Sequence, residues 1–565
     1  MRSSIIAALL LPGLTFAQEP AKKEFKAFTG QLISAAGTTS VGAVLYVVDR
    51  RTNEVLTIDE NGKRNWVPTG VVQPLPEAME TFKSRLRKDD ADINSIFGLQ
   101  AGSNELRRYD DALSYSDMLL KLRPKSVGTY ISRSMVLLRL DRYADAVAAC
   151  DVGLEVAPRN ADLFVNRGFA HKKLGERDKA LRDYAQAIEL ADDVIAYGNR
   201  ATIFRDEKDY ERALSEISKG LQVRETAILY RHRGYVYLDQ EQYDEAVTAL
   251  ERSTELNPSL STTWFELGRA YTGQNERQKA VEAYTECLRL DPSDTSALTN
   301  RGFVYGRLGK HKQAKADSEA ILLVEPLNEI ATTNLARDCV NLGQHEEAIQ
   351  HYSVLLGMGV RQHTAYSFRG DSFMNLNEYE KAAADYRAAI EINANASLHH
   401  ATGYCQMRLK KFDSAIEHFS KSLEMAPNTA RTLRQRGNTY LKLKDYSKAA
   451  TDFAASLKVD DKSIFAALNL AMIRAGSPEP ANRNLKEADE FLAIAMRLFD
   501  GEPTAEMLSV RSLIVAQLES PAAALPIAKK ASAAVSRDNP GPAWLPQAIE
   551  LFEVGKVWHM EASNK

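Results

Sequence analysis

The sequence predicts a mostly α-helical solenoid, a stack of helix pairs preceded by a small β module. Three regularities predict it. Alanine recurs at Ala112, Ala146, Ala180, Ala213, Ala246, Ala280, Ala314, Ala348, Ala382, Ala415 and Ala449, and the ten successive spacings are all 33 or 34. Glycine stands twelve residues before many of them, at Gly168, Gly234, Gly268, Gly302, Gly370, Gly403 and Gly437. Proline stands twelve residues after several, at Pro124, Pro158, Pro258, Pro292, Pro326 and Pro427. A fixed period of this length is the mark of a supersecondary unit that buries its apolar face only by stacking on a copy of itself. The small residues let two helices approach closely, and the proline stops the second helix. Aromatics fill two further slots, Tyr237, Tyr271, Tyr305 and Tyr440, then Tyr184, Tyr284, Tyr386 and Phe453.

At the start of the chain, Arg2 precedes the apolar run Ile5 to Leu14, which ends in Thr15-Phe16-Ala17. The run is far shorter than the ~20 residues a membrane span needs, and small residues occupy both cleavage-site positions. Residues 1–17 therefore read as a secretory signal peptide cleaved after Ala17, which makes the protein exported, to the periplasm or beyond the cell. No membrane span remains after cleavage. Removing Arg2 leaves 71 basic against 75 acidic residues, a net charge of −4. Such a balance gives no sign of nucleic-acid or anionic-lipid binding. Residues 18–29 read as a linker.

Residues 30–75 follow a different pattern. Val41 to Val48 is β-rich, Glu54 to Ile58 alternates, Glu60-Asn61-Gly62 suits a hairpin turn, and Lys63 to Val72 offers one or two short strands. Pro76 then opens a helix, Glu77 to Lys88, within a coupling segment 76–92.

From residue 93 the repeats take over. The phrases Asp209-Tyr210-Glu211-Arg212-Ala213 and Glu378-Tyr379-Glu380-Lys381-Ala382 mark the starts of second helices. Here the chain resembles the tetratricopeptide repeat family, whose 34-residue signature has these small, aromatic and proline positions. The resemblance implies about twelve helix pairs in a right-handed superhelix over residues 93–502, beginning near 93, 127, 161, 194, 227, 261, 295, 329, 363, 396, 430 and 464. The last carries a five-residue insertion around Ser477-Pro478-Glu479-Pro480. Length alone would suggest three or four domains at ~150 residues each; the repeats replace that count with one stack. Residues 503–565 read as a degenerate pair, with Pro526 kinking or breaking its second helix, and a closing helix Trp544 to Met560. The Trp66-Val67 and Val71-Val72 pairs resemble the closing strands of bacterial SH3-like domains, with Asn65 where those often carry glycine. That resemblance implies binding of cell-wall peptide and makes Trp66 a candidate platform.

No constellation for chemistry is visible. There is no GxGxxG, GxxxxGK[ST], GxSxG or HExxH. His345 and His351 are six apart, about 240° round a helix, so they do not grip one ion together. His399 and His400 are adjacent and point apart. The expectation is a non-enzymatic protein without metal or cofactor. Cys150, Cys287, Cys339 and Cys405 fall in non-adjacent repeats, and because each repeat touches only its neighbours they should remain free thiols.

In the tetratricopeptide family the first helix of each repeat lines a concave groove. Carried onto this chain, its sixth position reads Asn166, Asn199, Asn300, Asn334 and Asn469, with His232 and Gln435 in other repeats. Asparagine matches a peptide bond with a donor and an acceptor, although it serves equally to bond neighbouring helices. Glu266, Phe368 and Ala401 interrupt the row. Five other groove positions carry twelve basic residues, among them Arg231, Arg269, Arg307, Arg337, Arg408 and Arg434, against four acidic ones, Asp162, Asp206, Asp239 and Asp371. The expected function is a protein-interaction scaffold that holds extended, acidic polypeptide segments. An alternative is attachment to the cell envelope, with the β module holding wall polymer while the repeats display partners.

Overall fold

The computed structural model describes residues 31–34, 44–50, 54–58, 64–68, 72–535 and 541–560. The signal peptide, the linker and the Glu60-Asn61-Gly62 turn lie outside these residues.

Five short strands come first: β1 (Gln31–Ser34), β2 (Val44–Arg50), β3 (Glu54–Ile58), β4 (Arg64–Pro68) and β5 (Val72–Pro74). They form one antiparallel sheet in the order β4-β3-β2-β1-β5. In its register Leu32 pairs with both Leu45 and Pro74, and Leu56 pairs with Trp66. A register shift between Val47 and Asp49 bends β2.

The chain divides into two compact units, Met1–Asp291 and Pro292–Lys565. In the first, α1 (Leu75–Leu86) leads into six helix pairs: α2 (Ile93–Glu105) with α3 (Tyr109–Leu122), α4 (Val127–Arg139) with α5 (Tyr143–Val156), α6 (Ala161–Lys173) with α7 (Arg177–Ala191), α8 (Val194–Asp206) with α9 (Tyr210–Val223), α10 (Ala227–Asp239) with α11 (Tyr243–Leu256), and α12 (Ser261–Gly273) with α13 (Arg277–Leu290). The second holds α14 (Thr295–Arg307) with α15 (His311–Val324), α16 (Glu329–Asn341) with α17 (His345–Gly357), α18 (Gln362–Asn375) with α19 (Tyr379–Ile392), α20 (Ala396–Arg408) with α21 (Phe412–Met425), α22 (Ala430–Lys442) with α23 (Tyr446–Val459), and α24 (Ile464–Gly476) with α25 (Leu485–Leu498). First helices start where the period places them, α18 one residue early. Many are opened by an Asp, Asn or Thr side chain that accepts a backbone N–H three residues on, as at Asp92, Asn160, Thr226, Asp294, Asn328 and Asn395.

Eleven of the twelve pairs turn on the same backbone device. The fifteenth residue of a repeat has positive φ at Arg107, Asp141, Gly175, Lys208, Glu241, Asn275, Gly309, Gly343, Asn377, Lys410 and Lys444, with angles between +56° and +77°. Only glycine adopts this region without steric cost.

Between the two helices of a repeat, glycine meets an aromatic ring. A Cβ added to Gly268 would lie 2.6 Å from the Tyr284 ring, and one on Gly370 2.8 Å from Tyr386. Beside this contact sits an ion pair. Arg369, next to Gly370, gives two hydrogen bonds of 2.7 Å to Asp385, next to Tyr386. Arg436 repeats the arrangement on Asp452 and Arg167 on Asp183, at 2.7 to 2.9 Å. Arg301 holds Asp317, and Arg200 holds Glu216. All five carboxylates are buried. The guanidinium also reaches back to the preceding pair: Arg369 donates to Ser353, Arg436 to Ser420 and Arg167 to Asp151, each across sixteen residues.

The end of the second unit differs from the sequence expectation. Pro526 neither breaks nor ends its helix, α27 (Pro521–Ala533), which follows α26 (Ala505–Leu518). The closing helix is shorter than expected: α28 spans only Leu545–Glu553, because Gly555 turns the chain with φ of +76°. The remainder runs irregularly, stacking Trp558 on Trp544 at 4.5 Å and donating the Met560 N–H to the Gly476 carbonyl at 2.7 Å. The four cysteines are buried free thiols.

At Gly302 the ring is missing: Ser318 stands sixteen residues on, and a Cβ added to Gly302 would meet nothing closer than 3.5 Å. Gly370→Ala should therefore destabilise the protein by about 1–3 kcal/mol through overpacking. Gly302→Ala should be neutral or gain up to ~1 kcal/mol of helix propensity. Urea unfolding of the two variants checks the contrast, and equal losses would contradict it.

Candidate functional site

The candidate groove residues lie on first helices, whose side chains meet from one repeat to the next. In the first unit these encounters consume most of the polar groups. Asn166 donates its side-chain amide to Ser134 Oγ at 2.9 Å, joining α6 to α4. Lys172 donates to Thr202 at 2.6 Å and pairs with Asp206 at 3.0 Å, joining α6 to α8. Arg205 lies 3.4 Å from both Asp206 and Asp239, bridging α8 and α10. Arg231 donates to Thr262 on α12 at 2.8 Å. Arg269 pairs within its own helix with Glu266 at 2.6 Å. Charges that look unbalanced by residue type are thus largely neutralised by position. His232 lies within this zip; burial, then the charges of Arg231, Arg205 and Lys172, push it down to about 3. Asn199 is half-buried.

The second unit is built differently. Arg307, Arg337, Arg408, Arg431 and Arg434 have no carboxylate partner among the described residues. Arg307, Arg337, Arg408 and Arg431 are exposed and Arg434 half-buried. Arg337 only donates to Asn334 at 2.9 Å, and Arg408 packs over the Tyr379 ring at 4.6 Å while donating to the Tyr404 hydroxyl. Asp371, the one acid expected on this part of the face, is turned inward to accept the Tyr386 hydroxyl at 2.6 Å, and burial raises its pKa. Two stripes repeat on consecutive first helices: Asn300, Phe303 and Arg307 on α14, then Ile330, Asn334 and Arg337 on α16, each at spacings of three and four that share a helix face. Phe303, Ile330 and Phe368 are about half exposed, at 50%, 51% and 47%. Phe303 and Ile330 were not singled out from sequence, and Phe368 was noted only as a break in the asparagine row, although all three fall on first helices beside the asparagines and arginines that were.

The asparagines divide accordingly. Asn166 and Asn334 are bonded to neighbours, and Asn469 is buried and donates to the Phe465 carbonyl at 2.8 Å. Asn199 and Asn300 make no side-chain hydrogen bond among the described residues, and Gln435 is half-buried. A continuous amide row is not present. Trp66 sits on β4 opposite Leu56.

The histidines separate as their spacing requires. His399 meets His418, their Nδ1 atoms 3.1 Å apart, whereas His400 shares a hydrogen bond with Thr432 at 2.9 Å. His351 lies with Cys339 and Glu347 rather than with His345.

The profile of the tetratricopeptide repeat family matches residues 166–222, 225–293 and 369–430. The chain carries tetratricopeptide repeats. Solved tetratricopeptide structures are similar at low identity. YrrB, described as a TPR protein with an unusual peptide-binding site, is 22% identical over 33% of this chain and 96% of its own, with a TM-score of 0.28. The Cut9–Hcn1 assembly of the APC/C is 13% identical over 79% and 99%, with a TM-score of 0.33. MamA from Desulfovibrio magneticus RS-1 is 24% identical over 30% and 97%, with a TM-score of 0.27. No curated protein matches.

Burial, followed by the Arg431 and Arg434 charges, pushes His400 down to about 4. An unfolded histidine titrates near 6.5. Between these values the unfolded chain binds the extra proton, so stability falls as pH drops from about 6.5 to 4 and levels below that. The contribution is about 3 kcal/mol. His400→Gln should flatten this part of a pH series of thermal unfolding, and an unchanged slope would contradict the assignment.

Proposed function

We propose that this protein is an exported scaffold that binds extended acidic polypeptide segments on the first-helix face of its second unit. Tetratricopeptide repeats are a protein-binding scaffold as a class, and that much needs no further argument. The finer reading rests on one observation: Arg307, Arg337, Arg408 and Arg434 have no carboxylate partner among the described residues, alongside exposed Phe303, Ile330 and Phe368. Cations left unneutralised on a shared face attract carboxylates over several ångströms, and half-exposed rings lose solvent contact when a segment lies across them. The preferred occupant is therefore acidic with interspersed apolar side chains. Export rests on the Ile5 to Leu14 run and its Thr15-Phe16-Ala17 end.

The β module supports a second reading, envelope attachment. Its five strands form one antiparallel sheet in the order β4-β3-β2-β1-β5, and Trp66 on β4 is the candidate platform for wall peptide. A Trp66→Ala variant that sediments with insoluble wall material as well as the wild type does would remove this reading.

The groove reading is tested with a fluorescent peptide of alternating glutamate and leucine. Binding should weaken as salt rises. Arg307→Glu combined with Arg337→Glu should weaken it at least about tenfold, because like charges across an interface are strongly unfavourable. Arg269→Glu, whose wild-type charge is already met by Glu266, should have a much smaller effect. Equal binding by the Arg307/Arg337 variant, shown folded by circular dichroism, would overturn the assignment.

A further inference from the structure

We propose that Cys339, Glu347 and His351 form a binding site for a thiolate-accepting divalent cation of the zinc class, built into a single helix pair. Cys339 lies in the last turn of α16. Glu347 and His351 lie four residues apart near the start of α17, the spacing that puts two side chains on one helix face. The Cys339 sulfur, a Glu347 carboxylate oxygen and a His351 ring nitrogen all fall within 4.8 Å of one another, and His351 Nε2 is 3.9 Å from Glu347 Oε1. Ligands around tetrahedral zinc stand about 3–4 Å apart, so small side-chain rotations close the site.

The donor set selects the metal. Sulfur with imidazole and carboxylate favours zinc and its neighbours, whereas calcium and magnesium require oxygen alone. Among the described residues no other group of three histidine, cysteine or acidic side chains has this proximity. That separates Cys339 from Cys150, Cys287 and Cys405, which are equally buried. His351 and Glu347 are partly exposed, so an ion reaches the site from solvent on their side.

A cation already stands in the carboxylate's grasp. Lys315 Nζ on α15 lies 2.7 Å from both Glu347 oxygens. Displaced from there, the ammonium retains Gln344 Oε1 at 3.2 Å and Glu319 at 3.9 Å. Metal entry therefore exchanges one cation for another. Cys339 gives up its thiol proton to solvent, and the thiolate and the Glu347 carboxylate together balance the two charges of the ion. His351 binds as the neutral ring. A cysteine ligand binds as the thiolate, so binding releases a proton at neutral pH. Three protein ligands leave a fourth position for water.

Cobalt(II) is the probe, because thiolate ligation gives it a charge-transfer band in the near ultraviolet. The intact chain should bind one cobalt per molecule with that band and lose it when zinc is added. Lys315→Met should bind at least about tenfold more tightly, because its competitor is gone. Cys339→Ser, checked for folding by circular dichroism, should lack the band while His345→Ala keeps it. A band that survives in Cys339→Ser places the ligand at another thiol and overturns the proposal. Absence of the band from the wild type overturns it as well, including when Lys315→Met shows one, since Lys315 would then keep the native site closed.

Discussion

The buried arginine–carboxylate pair found inside five of the repeats is the constraint on which their packing depends. A buried charge is tolerable only when paired and hydrogen-bonded, and removing one partner from such a pair costs about 3–5 kcal/mol. In at least five repeats an arginine on the first helix grips an acid on the second, sixteen residues on. The planar fork of the guanidinium admits only a narrow range of approach, so it sets how the two helices cross. The neighbouring contact then follows. Where arginine is succeeded by glycine and the acid by an aromatic ring, the crossing brings ring against backbone, as at Gly168 and Tyr184 or Gly437 and Phe453. The guanidinium's remaining nitrogen bonds the preceding pair at Asp151, Ser353 or Ser420. One side chain thus fixes geometry within a repeat and between repeats.

Much of this was legible in the order of residues. The period in alanine, glycine and proline reports small residues at close approaches and a stop at the helix end, and these are local steric facts. The helix pairs therefore appear where the spacing put them. The arginine–acid pairs have the same regularity, and the Arg-Gly and Asp-Tyr dipeptides sixteen residues apart could have revealed them. They are inconspicuous because charged residues are common everywhere in the chain. Pro526 was expected to kink or break its helix, and the break does not occur: α27 runs through it.

The face of the first helices was less legible, for an electrostatic reason. Counting basic residues on a predicted face gives charge by type, but a field depends on which charges are met. Arg269 is answered by Glu266, and Lys172 and Arg205 by Asp206 and Asp239. In the second unit the one acid expected on the face, Asp371, is turned inward to the Tyr386 hydroxyl, and Arg307 and Arg337 meet no carboxylate among the described residues. Similar compositions thus produce two chemically different faces. The ligand-like grouping at Cys339 was hidden for a related reason. His351 was weighed against His345, its nearest histidine in sequence, while its true neighbours come from the facing helix and from its own next turn.

The turn between the two helices of a repeat has a further consequence. Its residue at positive φ is glycine in only three of the eleven repeats that share the device, Gly175, Gly309 and Gly343, and elsewhere a residue with a side chain such as Lys208, Lys410 or Lys444. A side chain there costs about 1 kcal/mol. In a stack whose stability is a sum over repeats and their interfaces, such a cost stays where it is incurred. Asn377, Lys410 and Lys444 follow one another in the second unit, so the helix pairs they join are preloaded to open before the pairs turned by Gly309 and Gly343. Under mechanical load the second unit should yield stepwise from its strained turns, as a graded spring with its softest coils in the middle.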